Sequence, residues 1–181
     1  RAGSRVVTSP SIFRNGCFFG CNDGYVYAVS ADDGRLMWRV RIAPRERRIM
    51  DHGMLESPWP VFGSVLVYND TIYASAGRNS EADGGVVIVA LDPATGARKW
   101  ARYIDVVLRS KNDLLSIADG KLVWQKVTLD PRTGEGDLVE ARVKSIGNNR
   151  SGMWDSMNLA SGSQKRLGDI HSLEGRSGWL M

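Results

Sequence analysis

Short apolar runs separated by turn residues recur along most of the chain. In the segments 12–20, 71–76 and 114–117, bulky apolar residues are interspersed with small or polar ones, as in half-buried strands. Each run leads into a turn rich in Asp, Asn and Gly, which are the residues that best tolerate turn conformations. The spacing of apolar positions that marks a helix is absent nearly everywhere in the sequence. The pattern therefore predicts an all-β protein.

One stretch of sequence occurs three times. The first two copies, residues 25–38 and 87–100, share an alanine, a glycine and a tryptophan in register: Ala28 and Ala90, Gly34 and Gly96, Trp38 and Trp100. The third copy repeats Leu-Asp-Pro-x-Thr-Gly at 129–134 but has Thr128 and Leu138 in place of Ala and Trp. Each copy consists of a strand, a turn closed by glycine and a second strand, which together predict a β-hairpin.

With one more strand and turn upstream of each copy, the repeating unit is about four short strands in roughly 40 residues, the size of a propeller blade. The predicted units cover about 5–42, 59–104 and 106–145. Residues 43–58 contain two prolines and no clear periodicity, so they are interpreted as a loop inserted between the first two units. In residues 146–181 the signal fades into Gly, Ser and Asn, and this segment is either irregular or a degenerate blade.

The composition fits this architecture. Of the 181 residues, 43% are hydrophobic and 24% are charged, which is typical of globular domains and not of disordered tails, collagen or coiled coils. No run approaches the roughly 18 apolar residues of a membrane-spanning helix. The chain starts at Arg1 without an apolar leader, so we expect any targeting signal to lie upstream or to have been removed.

Positive charge is concentrated in one window. The chain carries 24 Lys and Arg against 20 Asp and Glu, and the segment 35–48 alone holds six arginines and one acid. Such a run fits either a site that binds polyanions through their phosphates or a solvated strand edge and loop. Arg39 and Arg41 alternate as strand surface residues do, and no aromatic residues interleave for base stacking. We therefore expect a solvated edge and no nucleic-acid partner.

The two cysteines are Cys17 and Cys21. On one strand their Cα atoms would lie about 13 Å apart, at roughly 3.3 Å per residue. A disulfide needs less than about 7 Å, so a bridge would require the chain to reverse at Gly20. With only the distant His52 and His171 as further ligands, a zinc site is not expected. We predict free, buried thiols.

The inserted segment and its flanks hold the candidate binding residues. Because loops mounted on rigid scaffolds carry function, we predict a partner-binding loop with Arg47, Arg48, His52, Glu56 and Trp59. Four acids are interpreted as turn or surface carboxylates: Asp51, Glu56, Asp83 and Asp105. His52 beside a carboxylate could act as a base or ligand, but no nucleophile or second ligand is near it in the sequence. The motifs of common hydrolases, metalloproteases and nucleotide-binding enzymes are absent.

Residues 90–100 carry a complete tryptophan-docking pattern, A-x-D-x-x-T-G-x-x-x-W. The copy from Ala28 to Trp38 keeps the Ala, Gly and Trp. Over about 12–140 the chain thus resembles the pyrroloquinoline-quinone (PQQ)-like β-propeller family, which contains quinoprotein alcohol dehydrogenases and non-enzymatic bacterial relatives. In that family the Trp stacks between neighbouring blades while Ala and Gly make room for its ring. The resemblance implies a structural docking motif: Ala28, Gly34, Trp38, Ala90, Asp92, Thr95, Gly96 and Trp100.

The resemblance also implies an incomplete ring. Three recognisable units and a weak fourth would make only the smallest propeller in the usual range of roughly 4–8 blades. Propellers of this family have about eight, and an open ring leaves blade edges exposed. We therefore expect an all-β fold, a β-propeller of four-stranded antiparallel blades, with about three to four blades of a larger ring in this chain.

Two functions follow from the resemblance. The first is a non-catalytic binding or scaffolding module with protein or polysaccharide partners, periplasmic or secreted in a bacterium. The alternative is a fragment of a PQQ- and calcium-dependent quinoprotein dehydrogenase whose catalytic residues lie outside this segment. Such enzymes hold PQQ over a calcium ion ligated by a carboxylate and an amide, with an aspartate base and often adjacent cysteines. No residue of this chain matches a catalytic, cofactor or metal role on this pattern, so we favour the first function.

Overall fold

The computed structural model describes residues 1–51, 53–105 and 114–138, with side chains up to residue 136. Three four-stranded antiparallel sheets and one two-stranded hairpin make up the regular structure of this part of the chain. No helix occurs in these ranges. The all-β prediction is confirmed.

The strands follow one another in space in the order of the sequence. Sheet 1 consists of β1 (Ser11–Phe13), β2 (Gly16–Gly20), β3 (Tyr25–Ser30) and β4 (Leu36–Arg41). The inserted hairpin consists of β5 (Ile49–Asp51) and β6 (Met54–Glu56). Sheet 2 consists of β7 (Leu66–Tyr68), β8 (Thr71–Ala76), β9 (Val86–Leu91) and β10 (Arg98–Ile104). Sheet 3 consists of β11 (Ser116–Ala118), β12 (Lys121–Trp124), β13 (Val127–Leu129) and β14 (Gly136–Leu138).

Two local features differ from the sequence-based expectation. The run predicted at 12–20 is divided into β1 and β2, because the chain turns at Arg14, whose φ is +53°. The segment 43–58, interpreted as a loop, contains the inserted hairpin. Its strands are only three residues long, too short for alternation to stand out in the sequence.

Sheet 2 lies between the other two sheets. Every residue of β8 and β9 is buried, because successive side chains point to opposite faces of a sheet and both faces are covered. On one face Ile72 and Val89 pack in a cluster with Phe18 and Val26 of sheet 1. On the other face lies a second apolar cluster that reaches sheet 3: Tyr73, Ile88, Ala90, Leu122, Trp124 and Leu129.

Two tryptophans cross from one sheet to the next. The Trp38 indole N–H donates a 3.0 Å hydrogen bond to the Pro93 carbonyl, and a Cβ placed at Gly96 would lie 2.8 Å from the Trp38 ring. Trp100 repeats this arrangement with the Pro131 carbonyl at 2.9 Å and Gly134. Each ring therefore lies against a turn where only glycine leaves space.

The turn of sheet 1 offers a matched comparison for these contacts. Gly34 and Gly96 have nearly equal φ angles, +72° and +74°. A Cβ at Gly34 would meet no atom of the described residues within 4 Å, whereas a Cβ at Gly96 would collide with the ring of Trp38. Replacement by alanine therefore introduces the same backbone strain at both positions, about 1–2 kcal/mol. Only at Gly96 does it also introduce a steric clash.

We expect Gly96→Ala to lower the free energy of unfolding by about 1–3 kcal/mol more than Gly34→Ala, as overpacking of a tight contact does. Urea denaturation of both variants, followed by tryptophan fluorescence and circular dichroism, measures the difference. Equal losses in the two variants would show that the ring contact at Gly96 contributes nothing to stability.

Candidate functional site

The longer irregular connections of the chain lie at one end of the sheets. Because neighbouring strands are antiparallel, alternate connections lie at opposite ends of a sheet. The connections 21–24, 42–65 and 77–85 lie at the same end, which we call the hairpin rim because it carries the inserted hairpin. The turns 31–35 and 92–97 lie at the other end, where the tryptophans cross.

The segment 57–61 connects sheet 1 to sheet 2 at the hairpin rim. The Val61 N–H donates to the Cys21 carbonyl at 3.1 Å, and the Gly77 N–H donates to the Pro60 carbonyl at 3.0 Å. Trp59 is buried and its indole N–H donates to the Asp83 carbonyl at 3.0 Å. The prediction that Trp59 belongs to an accessible binding loop is wrong, since its ring lies in the core between the sheets.

Glu56 lies at the centre of a partly buried ionic cluster. Its side chain is fully buried, and Oε1 accepts hydrogen bonds from the Arg5 guanidinium, with Nε at 2.8 Å, and from Asn22 Nδ2 at 2.9 Å. Oε2 accepts from the Arg78 guanidinium at 3.4 Å, and the same guanidinium donates to Asp51 at 3.1 Å. We call these residues the Glu56 cluster: Arg5, Asn22, Asp51, Glu56 and Arg78.

Glu56 was expected to be a turn or surface carboxylate, and this expectation is wrong. A carboxylate is buried only where its charge is compensated, and here two arginines from outside the inserted segment supply the compensation. The other three acids differ less from the expectation. Asp51 is half-buried beside Arg78, and Asp83 and Asp105 are exposed. His52 and His171 lie outside the described residues.

The sequence analysis did not predict that Arg5, Asn22 and Arg78 contact Glu56. They lie 51, 34 and 22 positions from Glu56, and each sits in a stretch that reads as an ordinary turn or loop. The order of strands in the repeat places the connections 21–24 and 77–85 at the same rim. The repeat could therefore have predicted that Asn22 and Arg78 lie near each other. No local pattern marks Arg5.

The Glu56 cluster contains the residue types that the resemblance associates with calcium, a carboxylate and an amide. The Asn22 Oδ1 atom is buried without a protein partner, so an amide oxygen is available there. However, both oxygens of Glu56 already accept bonds from guanidinium groups, and two neighbouring positive charges oppose a cation electrostatically. The cluster as arranged does not fit a calcium ion. Among the described residues, no group of three or more His, Cys, Asp or Glu is placed to hold a metal.

Asp23 is the second buried carboxylate at this rim. One of its oxygens accepts from the Tyr27 hydroxyl at 2.6 Å and from the Gly3 N–H at 3.1 Å, and the other accepts from the Tyr25 N–H at 3.0 Å. Burial, together with the hydrogen bond to Asp23, raises the pKa of Tyr27 to about 12. This carboxylate is also fully engaged, and it fixes residues 3–5 against sheet 1.

Both cysteines are free thiols, as predicted, and they differ in accessibility. Cys21 is fully buried at the end of β2, and burial raises the pKa of its thiol to about 11. Cys17 lies within β2 and is half-buried, so the prediction of burial holds only for Cys21.

The arginine-rich segment is exposed, as predicted for a solvated edge. Arg35, Arg39, Arg45, Arg47 and Arg48 are exposed and Arg41 is half-buried. Several have nearby acidic partners: Arg35 with Asp33 at 3.1 Å, Arg41 with Glu46 at 3.1 Å, and Arg47 with Asp83 at 3.7 Å. The candidate loop is therefore split, because Arg47 and Arg48 face solvent while Glu56 and Trp59 are buried.

The residues of the structural docking motif lie at the opposite end of the sheets or close to it. Ala28 and Ala90 are buried and pair with Trp38 and Trp100 across neighbouring strands. The Asp92 carboxylate accepts from the Thr95 hydroxyl and N–H, both at 2.9 Å. These hydrogen bonds, the hydroxyl first, hold the pKa of Asp92 below its usual value and fix the turn that contains Gly96.

A shallow cavity of about 190 Å³ lies at this opposite end. Its walls include Thr71, Tyr73, Lys99 and Arg132. The Lys99 ammonium donates to the Thr71 hydroxyl at 2.7 Å, and the Tyr73 hydroxyl donates to the Pro131 carbonyl at 2.9 Å. The polar groups are thus occupied with holding neighbouring segments together, and the hairpin rim remains the better candidate for a functional site.

Removing the buried carboxylate should be costly. We expect Glu56→Ala to lower the free energy of unfolding by about 1.5–3 kcal/mol, because Arg5, Arg78 and the buried Asn22 amide lose their common acceptor. Glu46→Ala is the control, since the Glu46 and Arg41 pair is exposed and exposed pairs contribute little. Thermal and urea denaturation measure both. A loss in Glu56→Ala no larger than in Glu46→Ala would refute a structural role for the cluster.

The two thiols should react at different rates. In the native protein we expect Ellman's reagent to modify Cys17 first, because the thiolate is the reactive form and Cys21 is buried with a raised pKa. Cys21 should react only as the protein unfolds in urea. Cys17→Ser should abolish the early phase and Cys21→Ser should leave it intact; the reverse assignment would contradict the buried position of Cys21.

Solved structures with the same fold include two quinohemoprotein alcohol dehydrogenases. The enzyme ADHIIG of Pseudomonas putida HK5 is 15% identical, with a TM-score of 0.55 over 71% of this chain and 25% of its own. The enzyme of Comamonas testosteroni is 16% identical, with a TM-score of 0.53 over 74% of this chain and 20% of its own. BamB of Moraxella catarrhalis is 17% identical, with a TM-score of 0.48 over 74% of this chain and 37% of its own.

The two TM-scores above 0.5 establish the fold, an open part of a PQQ-like β-propeller. The chain spans well under half the length of each of the three proteins. The sheets described above are its blades. None of the curated proteins matches the sequence. The described residues contain no helix long and apolar enough to cross a membrane. Residues 1–108 match the PQQ-like repeat family described as outer membrane protein assembly factor BamB, and the chain belongs to that family.

Proposed function

We propose that this chain is a non-catalytic PQQ-like propeller segment that serves as a binding or scaffolding module outside the bacterial cytoplasm, periplasmic or secreted. The observation that carries the proposal is the Glu56 cluster, in which the buried carboxylate at the rim is bonded to two arginines. Such a carboxylate supports the shape of a surface and is not free to ligate a cofactor ion. The matching family model, described as an assembly factor, favours protein partners, and polysaccharide is the other partner class.

We also propose that residues 1–181 form one partial propeller domain, with blades at about 5–42, 59–104 and 106–145. The indole hydrogen bonds from Trp38 to Pro93 and from Trp100 to Pro131 support a role for these rings in docking each blade on the next. Parts of the third unit, and residues 146–181 with their suggested degenerate blade, lie outside the described residues.

The free face of sheet 1 supports a larger ring. Phe18 packs towards sheet 2, so its neighbours Cys17 and Phe19 point the other way, and both are only half-buried. The turns at Gly34 and Gly96 have the same backbone conformation. In each, the glycine N–H donates to the carbonyl of the residue four positions earlier, at 2.9 Å for Gly34 and 2.8 Å for Gly96. Among the described residues, no tryptophan lies against the turn at Gly34. A further blade with a docking tryptophan would complete this face.

The alternative function is a fragment of a PQQ- and calcium-dependent dehydrogenase. One observation favours it, the buried pair of Asn22 and Glu56 with the amide oxygen of Asn22 unbonded. For Glu56 to ligate calcium, the guanidinium groups of Arg5 and Arg78 would have to leave. In that case Asn22 and Glu56 would hold the ion, and PQQ bound above it would supply redox chemistry.

Addition of PQQ and calcium chloride to the purified protein distinguishes the two functions. We expect no change in the thermal midpoint or in the absorbance spectrum of PQQ, and no dye-linked alcohol oxidation. Glu56→Gln is the matched variant, because it keeps the side-chain shape and removes the charge that calcium needs. Calcium-dependent stabilisation of the wild type that is lost in Glu56→Gln would establish the alternative.

A further inference from the structure

The inserted hairpin has the opposite polarity to an ordinary surface hairpin. Its strands pair Met50 with Leu55 directly, and these side chains are 68% and 56% exposed. The flanking pairs place Glu56 opposite Ile49 and Asp51 opposite Met54. Because successive side chains alternate between faces, the acids lie on the face towards the protein and the apolar pair lies on the face towards solvent.

Specific bonds fix this arrangement of the two hairpin faces. Arg78 bridges Asp51 and Glu56 at 3.1 and 3.4 Å, so both acids are held on the inner face. On the β6 side, the Ser4 hydroxyl donates to the Leu55 carbonyl at 3.0 Å. The ionic bonds of Asp51 and Glu56 thus hold Met50 and Leu55 side by side in solvent, and adjoining exposed apolar side chains are a candidate interaction surface.

The β5 strand also presents a backbone edge. Two residues separate β5 from β6, and in hairpins of this length the pair beside the loop exchanges both hydrogen bonds. The next pair, Met50 and Leu55, therefore directs its N–H and C=O groups outwards, as the bond from Ser4 to Leu55 confirms on the β6 side. Within the described residues, no third strand pairs with β5.

Positive charge lies next to this edge. Arg45, Arg47 and Arg48 precede β5 directly and are exposed. Arg47 is 3.7 Å from Asp83, a long contact between exposed groups, and such contacts contribute little. The surface therefore combines an apolar pair, a strand edge to which no described strand is paired, and an excess of guanidinium groups. The charge favours acidic partners.

We propose that β5, the Met50–Leu55 pair and the arginines before them form a docking surface for an extended protein segment with alternating apolar and acidic side chains. The segment adds to β5 as a strand, places its apolar side chains beside Met50 on the face that also carries Leu55, and directs its carboxylates to the arginines that precede β5. A lipid surface would match the charge and the apolar pair but supplies no backbone groups for the edge. The inference rests on the proposed binding function and names the chemistry of the partner.

A synthetic strand tests the inference on the full 181-residue protein. The probe is the peptide acetyl-Val-Glu-Val-Glu-Val-Glu-Val-amide, titrated by NMR. We expect binding with a dissociation constant on the order of 1 mM or tighter and at least about tenfold weaker binding to Met50→Glu. Met37→Glu is the matched control, because Met37 is also exposed, at 46%, and lies outside the hairpin. Both variants should keep the thermal midpoint of the wild type.

Further probes distinguish the parts of the surface. Replacing Glu by Lys in the peptide should abolish binding if the arginines select acids, and N-methylation of alternate amides should abolish it if the segment adds as a strand. Absence of binding at millimolar peptide, equal weakening by Met50→Glu and Met37→Glu, or undiminished binding of the methylated peptide would overturn the proposal. Binding to phosphatidylglycerol vesicles without peptide binding would replace it with a lipid surface.

These outcomes are separable from failure of the proposed function. If the peptide does not bind and PQQ with calcium has no effect, the docking inference fails and the non-catalytic assignment stands. Calcium-dependent binding of PQQ overturns the non-catalytic assignment, whatever the peptide does.

Discussion

Sheet 2 has two apolar faces, and the need to bury both is the constraint on which the rest of the structure depends. Sheet 2 meets it completely, because sheets 1 and 3 cover its two faces and leave every residue of β8 and β9 buried. Trp38 and Trp100 add contacts across each junction at turns where glycine leaves room. The same constraint leaves the outer face of sheet 1 half-covered, so an array built on this principle is complete only as a closed ring.

The hairpin rim is held by a different kind of interaction. The inserted hairpin lies beyond the ends of the strands and cannot join the apolar stack, so the ionic bonds of Glu56 and Asp51 to Arg5 and Arg78 attach it. Because the acids occupy the inner face, the apolar pair of the hairpin is left on the outer face. The bonds that fix the hairpin therefore also determine that Met50 and Leu55 face solvent.

The repeating parts of the fold could be predicted and the attachment of the hairpin could not. Trp100, Asp92 and Gly96 recur at fixed spacing, and the turn they predict depends on bonds between neighbours such as Asp92 and Thr95. The Glu56 cluster depends on residues up to 51 positions away. A carboxylate in a loop without periodicity is usually solvated, so nothing near Glu56 in the sequence distinguishes it from Asp83.

The sequence by itself determined the all-β class, the repeat and the residues that close its turns, because strand alternation and turn chemistry act between residues a few positions apart. Only the tertiary structure decided that Trp59 is a core residue, that Glu56 is buried, and that Met50 and Leu55 face solvent. The physical reason is that burial of a side chain is a property of what packs against it. In this chain the packing partners come from other blades and from the N-terminal segment.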